Sequence, residues 1–313
     1  MSDASIQLGA SGEGVLREED ARVADFFVLL KPRVMSLVVF SGLAGLVVAP
    51  GDLHPVLACV AVLCIAVGSG AAGAINMWYD RDIDAVMQRT RRRPIPDGRV
   101  EASEALGFGV VLALGAVMMM GLAVNWLAAG LLAAAIGFYV FIYTMWLKRR
   151  TPQNIVIGGA AGAFPPMIGW AAVTGEVGVP AIVLFLLIFM WTPPHFWALS
   201  LYRQGDYAKA GVPMLPVVAG PQATKRQMLI YTLLLFPLAL MPTLLGIAGW
   251  VYGAAALVLG ALFILMAVRV LLGEGDRGER SARQMFGFSI LYLFLLFALL
   301  IIDRSPGLLG GWS

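Results

Sequence analysis

Three oxygen-bearing side chains repeat at intervals of four residues near the end of the second long apolar run. They are Asn76, Asp80 and Asp84. On an α-helix a step of four residues passes a full turn by about 40° and rises about 6 Å, so the three side chains are predicted to form one short stripe. Asp82 lies about 160° from Asp80 on the same helix and is expected to face elsewhere.

These three residues, called the oxygen stripe below, have the ligand types of a hard-cation site. Two carboxylates beside an amide supply oxygen ligands and leave room for water and phosphate, which is how magnesium is commonly held. Carboxylates at membrane depth are costly and usually serve a function. The stripe therefore predicts a catalytic magnesium site. The alternative is a helix end that reaches water, with Asp80 and Asp84 paired to nearby arginines.

The segment that follows the oxygen stripe is rich in arginine. Arg91, Arg92 and Arg93 stand together a few residues after Asp84. Arginine forks bind phosphate oxygens in pairs, so a basic loop beside a magnesium site suits a diphosphate, with Arg91 and Arg92 as candidate contacts. Anchoring at the membrane surface would explain the same loop.

Other basic or polar segments between apolar runs offer further candidates for contacting a diphosphate. They are Lys31, Arg33, Tyr143, Lys148, Arg203, Asp206 and Lys209. Interface anchoring accounts equally well for Tyr143 and Lys148. His195 lies within an apolar run after Pro193 and Pro194, which are predicted to kink the helix and free backbone carbonyls. It is either a hydrogen-bonded structural residue or a catalytic or diphosphate-contacting one.

The composition requires that helices spanning a membrane position these residues. Apolar residues make up 60% of the 313 and charged residues only 13%, and the mean hydropathy is +0.84. A soluble domain carries about twice that charged fraction. The cations lie in short loops between apolar runs, which argues against a nucleic-acid partner despite a net charge of +3. An all-α integral membrane fold in a lipid bilayer is predicted.

Nine apolar runs are long enough to span a bilayer, which takes roughly 17–25 residues. Their predicted ranges are about 34–50, 54–76, 104–124, 126–147, 154–173, 179–200, 227–248, 250–272 and 285–302. With the N-terminus in the cytoplasm, 21 of the 22 Lys and Arg residues fall on the cytoplasmic side, as the positive-inside rule requires. The polar N-terminal stretch has neither signal-peptide nor transit-peptide character, so a bacterial inner membrane is expected.

Several motifs together resemble the UbiA-type intramembrane prenyltransferases, and in particular the branch that farnesylates haem. They are Lys31-Pro-Arg33-Val, the oxygen stripe with Arg91-Arg92-Arg93-Pro94, Tyr143 to Arg149, Thr151 to Gly159, Trp191 to Trp197, and Asp206 to Pro216. The resemblance covers residues 26–302. That range is the predicted prenyltransferase domain. The polar stretch 1–25 is expected to be a disordered cytoplasmic tail, and residues 303–313 a short outer tail.

The resemblance implies nine helices around a central cavity and a reaction between farnesyl diphosphate and a vinyl group of haem B. Haem B would be a substrate, Mg²⁺ the cofactor, and a downstream haem-modifying membrane enzyme a possible partner. It adds Asn154 to the substrate-binding set and haem-iron ligation to the roles open to His195. Where many members carry a second acidic motif, His195, Leu199 and Arg203 stand here, with Asp206 nearby.

Two alternatives stay open at this point. A related prenyltransferase with an aromatic acceptor, of the 4-hydroxybenzoate type, would share the oxygen stripe but carry a fuller second acidic motif. A secondary transporter would also be polytopic, with helices broken by Gly and Pro, but would place charges near the midplane.

Overall fold

A computed structural model of the chain describes residues 22–304, and the regular elements of that range are all helices. In chain order they are α1 (Val23–Leu29), α2 (Pro32–Val48), α3 (Pro55–Tyr79), α4 (Arg81–Val86), α5 (Ala102–Ala123), α6 (Trp126–Gly137) continued by a π-helical segment (Phe138–Leu147), α7 (Asn154–Thr174), α8 (Val179–Tyr202), α9 (Gln204–Lys209), α10 (Leu215–Val218), α11 (Gly220–Leu244), α12 (Trp250–Leu272) and α13 (Gly275–Arg304). The expected tails lie largely outside the described residues, although α1 already begins at Val23.

In the described part of the chain, eight helices are long and apolar enough to span a membrane. The number is nine when α1 and α2 are taken as one span bent by 56°. Large apolar side chains such as Leu122 and Leu244 point outward and are 73% and 74% exposed. A water-soluble surface rarely carries so many of them, whereas a lipid-facing surface requires them. The predicted all-α membrane fold with about nine spans is confirmed.

The helix ends differ from the predicted runs where polar residues extend a helix beyond its apolar part. Helix α13 begins at Gly275 instead of 285, and the Glu279–Arg283 ion pair of 2.5 Å, spaced four residues apart, lies on this extension. Such pairs support exposed helical turns. Hydropathy alone therefore predicts the apolar part of α13 and not the polar turns at its start.

Close helix crossings hold the bundle together in its centre. Helix α2 packs on α7, and α7 packs on α8. At Gly45 an added Cβ would overlap the backbone of Pro166, and at Gly169 it would overlap the carbonyl of Gly42. Small residues allow membrane helices to approach this closely. Helix α13 packs on both α8 and α2, so the last span returns to the first.

Candidate functional site

The oxygen stripe spans the junction between α3 and α4 without losing its helical register. The amide of Asp80 donates to the carbonyl of Asn76 at 2.9 Å, and the amide of Asp84 donates to that of Asp80 at 2.8 Å. Asn76, Asp80 and Asp84 are all buried, with exposures of 3%, 0% and 2%. The side chain of Asp82 is 61% exposed, which confirms that it faces away from the stripe.

Each member of the oxygen stripe is bonded to a cation, and each cation comes from a different part of the chain. Lys31 Nζ donates to Asn76 Oδ1 at 2.6 Å. Arg93 donates to Asp84 Oδ2, also at 2.6 Å. The third cation, on Asp80 Oδ2, is Lys148.

The charge balance of this cluster favours an anion as its ligand. Asp80 and Asp84 face Lys31, Lys148 and Arg93, and Arg149 lies 3.5 Å from Asp80 while it also pairs with Asp82. Four cations therefore stand against three carboxylates. A diphosphate brings the missing negative charge, and charge-assisted hydrogen bonds to its oxygens are about twice as strong as neutral ones.

Arg149 has two roles at the exposed side of the stripe. Its guanidinium makes two hydrogen bonds of 2.7 Å to Asp82 and lies 3.5 Å from Asp80 Oδ1. These hydrogen bonds lower the pKa of the Asp82 carboxyl below its ordinary value. Arg149 also lies 4.9 Å from the centre of the Tyr79 ring, close enough for a cation–π contact.

The π-helical segment brings Thr144 to the stripe and leads directly into Lys148. Thr144 is fully buried, and its hydroxyl accepts a hydrogen bond of 3.0 Å from the amide nitrogen of Asn76. The amide of Lys148 donates to the carbonyl of Tyr143, five residues back. π-helical turns are rare and frequent at functional sites. The wider turn sets which side chains of this segment face α3.

Lys31 reaches the stripe because the chain bends sharply where α1 meets α2. It is the one non-glycine residue with a positive φ among residues 22–304, at φ 53° and ψ 52°. Its neighbour Pro32 disfavours the right-handed helical region for the preceding residue, and a left-handed conformation is strained for a side chain such as lysine. The lysine stem passes Gly73, where a Cβ would lie 3.3 Å from Lys31 Cδ.

Other predicted site residues lie in the neighbourhood without contacting the stripe. The Tyr143 ring packs against α7, where Gly158 leaves space for it. Asn154 opens α7, is fully buried, and donates to the carbonyl of Thr151 at 2.7 Å. Its Oδ1 is buried without a hydrogen-bond partner.

The remaining predicted contacts lie on the surface of the described structure. Arg33, Arg91 and Arg92 are exposed. Arg203 lies 4.0 Å from Asp206, so these two pair with each other.

Lys209 lines a surface depression together with Asp82 and Arg149. Ile83 and Val86 of α4 line the same depression. Lys209 therefore shares this depression with Asp82 and makes no hydrogen bond or ion pair with the oxygen stripe in the described structure.

His195 lies in a separate buried pocket between α8 and α13, and α8 continues through the two prolines as one helix. The imidazole stacks between Trp191 and Phe286, with ring centres 4.2 and 4.7 Å away. Nδ1 is 2.6 Å from Ser289 Oγ, whose own proton is donated to the carbonyl of Phe286 at 2.7 Å. Because Nδ1 is engaged by Ser289, Nε2 is the ring nitrogen left for a ligand.

Three residues that meet the stripe were not among the predicted contacts. They are Arg93, Thr144 and Arg149. Arg93 and Arg149 adjoin residues that were chosen, and only loop geometry separates them from Arg92 and Lys148. Thr144 is a hydroxyl in an otherwise apolar run, which is the one sequence signal that marks it.

The helical architecture with this buried oxygen stripe is that of an intramembrane prenyltransferase, and the comparison with known families agrees. The UbiA prenyltransferase family model matches residues 38–290. The chain belongs to the UbiA prenyltransferase family.

Curated relatives narrow the comparison to one branch. Protoheme IX farnesyltransferase of Parvibaculum lavamentivorans is 63% identical over 287 residues, covering 91% of this chain and 90% of the relative. The protein of the same name from Methylobacterium nodulans is 60% identical over 288 residues, covering 92% and 91%. The fold is shared with a UbiA homolog from Archaeoglobus fulgidus bound to GPP and Mg²⁺, at a TM-score of 0.62, 16% identity, and coverage of 88% of this chain and 99% of that one.

Proposed function

We propose that this chain transfers the farnesyl group of farnesyl diphosphate to a vinyl group of haem B. One water molecule is consumed, and the products are haem O and diphosphate. The observation that carries the proposal is the buried oxygen stripe with a cation bonded to every member. The names of relatives about 60% identical over nine-tenths of the chain support haem as the acceptor.

The donor set fits magnesium. Asn76, Asp80 and Asp84 offer only oxygen ligands, and Asp80 Oδ1 is buried without a hydrogen-bond donor. Magnesium is typically held by one or two carboxylates plus substrate phosphates. When bound, it would neutralise charge on the departing diphosphate. The metal in the related Archaeoglobus fulgidus structure supports this assignment.

The residues of the chain would assist departure of the diphosphate by electrostatics. Lys31, Lys148 and Arg93 already converge on the stripe, so short side-chain rotations would bring them onto phosphate oxygens. Fixed cations aimed at developing negative charge are among the largest contributions to catalysis. They would favour breakage of the bond between C1 of the farnesyl chain and the diphosphate oxygen.

Attack by the acceptor completes the reaction. The terminal vinyl carbon of haem forms a bond to C1 of the farnesyl group, and the inner vinyl carbon takes a hydroxyl from water, which loses a proton. The surrounding apolar helices would keep water from capturing the farnesyl cation first. His195 has two candidate roles in this reaction. It would either ligate the haem iron through Nε2 or hold α8 to α13 through its contact with Ser289.

The expected location follows from the distribution of cations. A bacterial inner membrane with the site on the cytoplasmic side agrees with the positions of Lys and Arg, because 21 of the 22 fall in the tail and connections predicted to be cytoplasmic. The product would then pass to a membrane enzyme that modifies haem O further.

Product analysis with the purified protein tests the proposal. Haem B, farnesyl diphosphate and magnesium are incubated with the protein in detergent or nanodiscs, and haem products are separated by mass. The expected result is haem B plus one farnesyl group and one hydroxyl, formed only with all three components. Farnesylation of 4-hydroxybenzoate without any change to haem would instead identify the aromatic-acceptor activity.

A further inference from the structure

One partly buried ion pair lies beside the site without belonging to it. Asp25, on the short helix α1, pairs with Arg99, which ends the basic loop before α5. The side chain of Asp25 is only 8% exposed, and its second oxygen lies 3.4 Å from the amide of Arg22. Nothing in the proposed chemistry uses either residue. A buried carboxylate is costly unless it is paired, so this contact needs an explanation.

On one side the pair fixes the segment that delivers Lys31. Four residues after Asp25, Leu29 is fully buried in an apolar cluster with Met77 and Val100. Leu30 then packs on Gly70, where a Cβ would lie 3.1 Å from its side chain. The next residue is Lys31, in its left-handed conformation on Asn76. Because that conformation is strained, it persists only while the flanking segment is held in place.

On the other side the pair fixes the loop that delivers Arg93. The amide of Arg99 donates to the carbonyl of Pro94 at 2.9 Å, and the Arg99 guanidinium donates to the carbonyl of Arg92, also at 2.9 Å. Arg99 therefore ties its own loop together on both sides of Arg93. Its contact with Asp25 ties that closed loop to α1.

We propose that the Asp25–Arg99 ion pair positions Lys31 and Arg93 together over the oxygen stripe and thereby sets the affinity for the diphosphate. The pair acts through two of the three cations and contacts neither the stripe nor the substrate. This inference rests on the proposed function, because it assumes that the two cations bind phosphate oxygens.

Binding of an inert substrate analogue tests this positioning role directly. Farnesyl thiodiphosphate with Mg²⁺ is titrated into the purified full chain, and the dissociation constant is measured by calorimetry. Asp25→Asn is expected to weaken binding by about tenfold or more, which corresponds to one displaced charge-assisted hydrogen bond. Arg99→Lys keeps the charge and should lose less affinity than Arg99→Gln.

A matched control exists on the same arginine. Asp97 accepts from Arg99 Nε at 2.9 Å, but its side chain is 46% exposed, so Asp97→Asn should leave the affinity unchanged. Melting temperatures in detergent are recorded for every variant. A lowered melting temperature for Asp25→Asn with unchanged affinity would make the pair merely structural and overturn the proposal.

The outcomes separate this inference from the function on which it rests. If the unmodified protein binds the analogue and both Asp25→Asn and Arg99→Gln bind it equally well, the positioning role is wrong and the diphosphate site stands. If the unmodified protein does not bind the analogue with magnesium, the proposed function itself fails. Should Asp25→Asn fail to fold, Arg99→Gln decides, because the Arg99 side chain is 33% exposed.

Discussion

Replacing Asp80 by Asn removes the most enclosed charge of the oxygen stripe at nearly constant volume. Asp80 has no exposed surface, accepts hydrogen bonds from Asn76 and Lys148, and has one further oxygen without a donor. The substitution takes one of two carboxylate charges from the proposed magnesium site. It also leaves four cations against two carboxylates.

The expected loss follows from what such a group supplies. Removing one preorganised electrostatic group from an active site lowers turnover by about 10²–10³-fold. Asn retains an acceptor for Lys148, so the protein is expected to fold. The assay measures the initial rate of haem O formation across a range of magnesium concentrations, with the melting temperature as the check on folding.

Asp82→Asn is the matched control, two residues further on. Its carboxylate is 61% exposed and pairs with Arg149 on the surface, and exposed ion pairs contribute only about 0–1 kcal/mol. Turnover should therefore change by less than about fivefold. Full activity of Asp80→Asn at every magnesium concentration, or an equal loss in Asp82→Asn, would refute the reasoning.

The remaining predictions concern the supports of the site and its metal. Thr144→Val removes the hydroxyl that accepts a hydrogen bond of 3.0 Å from the side-chain amide of Asn76. The buried amide then has one partner fewer, which should cost about 1–3 kcal/mol in stability or activity. An unchanged melting temperature together with an unchanged rate would contradict this prediction. Gly45→Ala places a Cβ against the backbone of Pro166 and should lower the melting temperature. Gly107→Ala is the control, because open space surrounds Gly107 and its melting temperature should not change. Equal melting temperatures of the two variants would rule out close packing where α2 crosses α7. Treatment with a chelator should abolish haem O formation, and added magnesium should restore it.

The spans could be predicted closely because each depends on local composition. A run of about 20 apolar residues can bury its backbone in lipid only as a helix. The predicted ranges 126–147 and 250–272 coincide with the helical elements that begin at Trp126 and Trp250. The polar start of α13 could not be predicted in this way, because its first turns lie outside the apolar run.

The sequence alone determined the oxygen stripe. Helical periodicity places residues four apart on one face, and the register persists through the junction at Asp80 because the helical hydrogen bonds continue there. The same periodicity places Asp82 on a different face of the helix from the oxygen stripe. Both facts depend on residues within a few positions of one another.

Only the tertiary structure decided which cation meets which oxygen. Lys31 lies 45 residues from Asn76 and Lys148 lies 68 residues from Asp80, and no local rule links such distant positions. The strained bend before α2 and the π-helical register set those two contacts, and the fold of the basic loop selects Arg93. The spacing of residues along one helix is fixed by its geometry, whereas contacts between segments depend on how the helices pack.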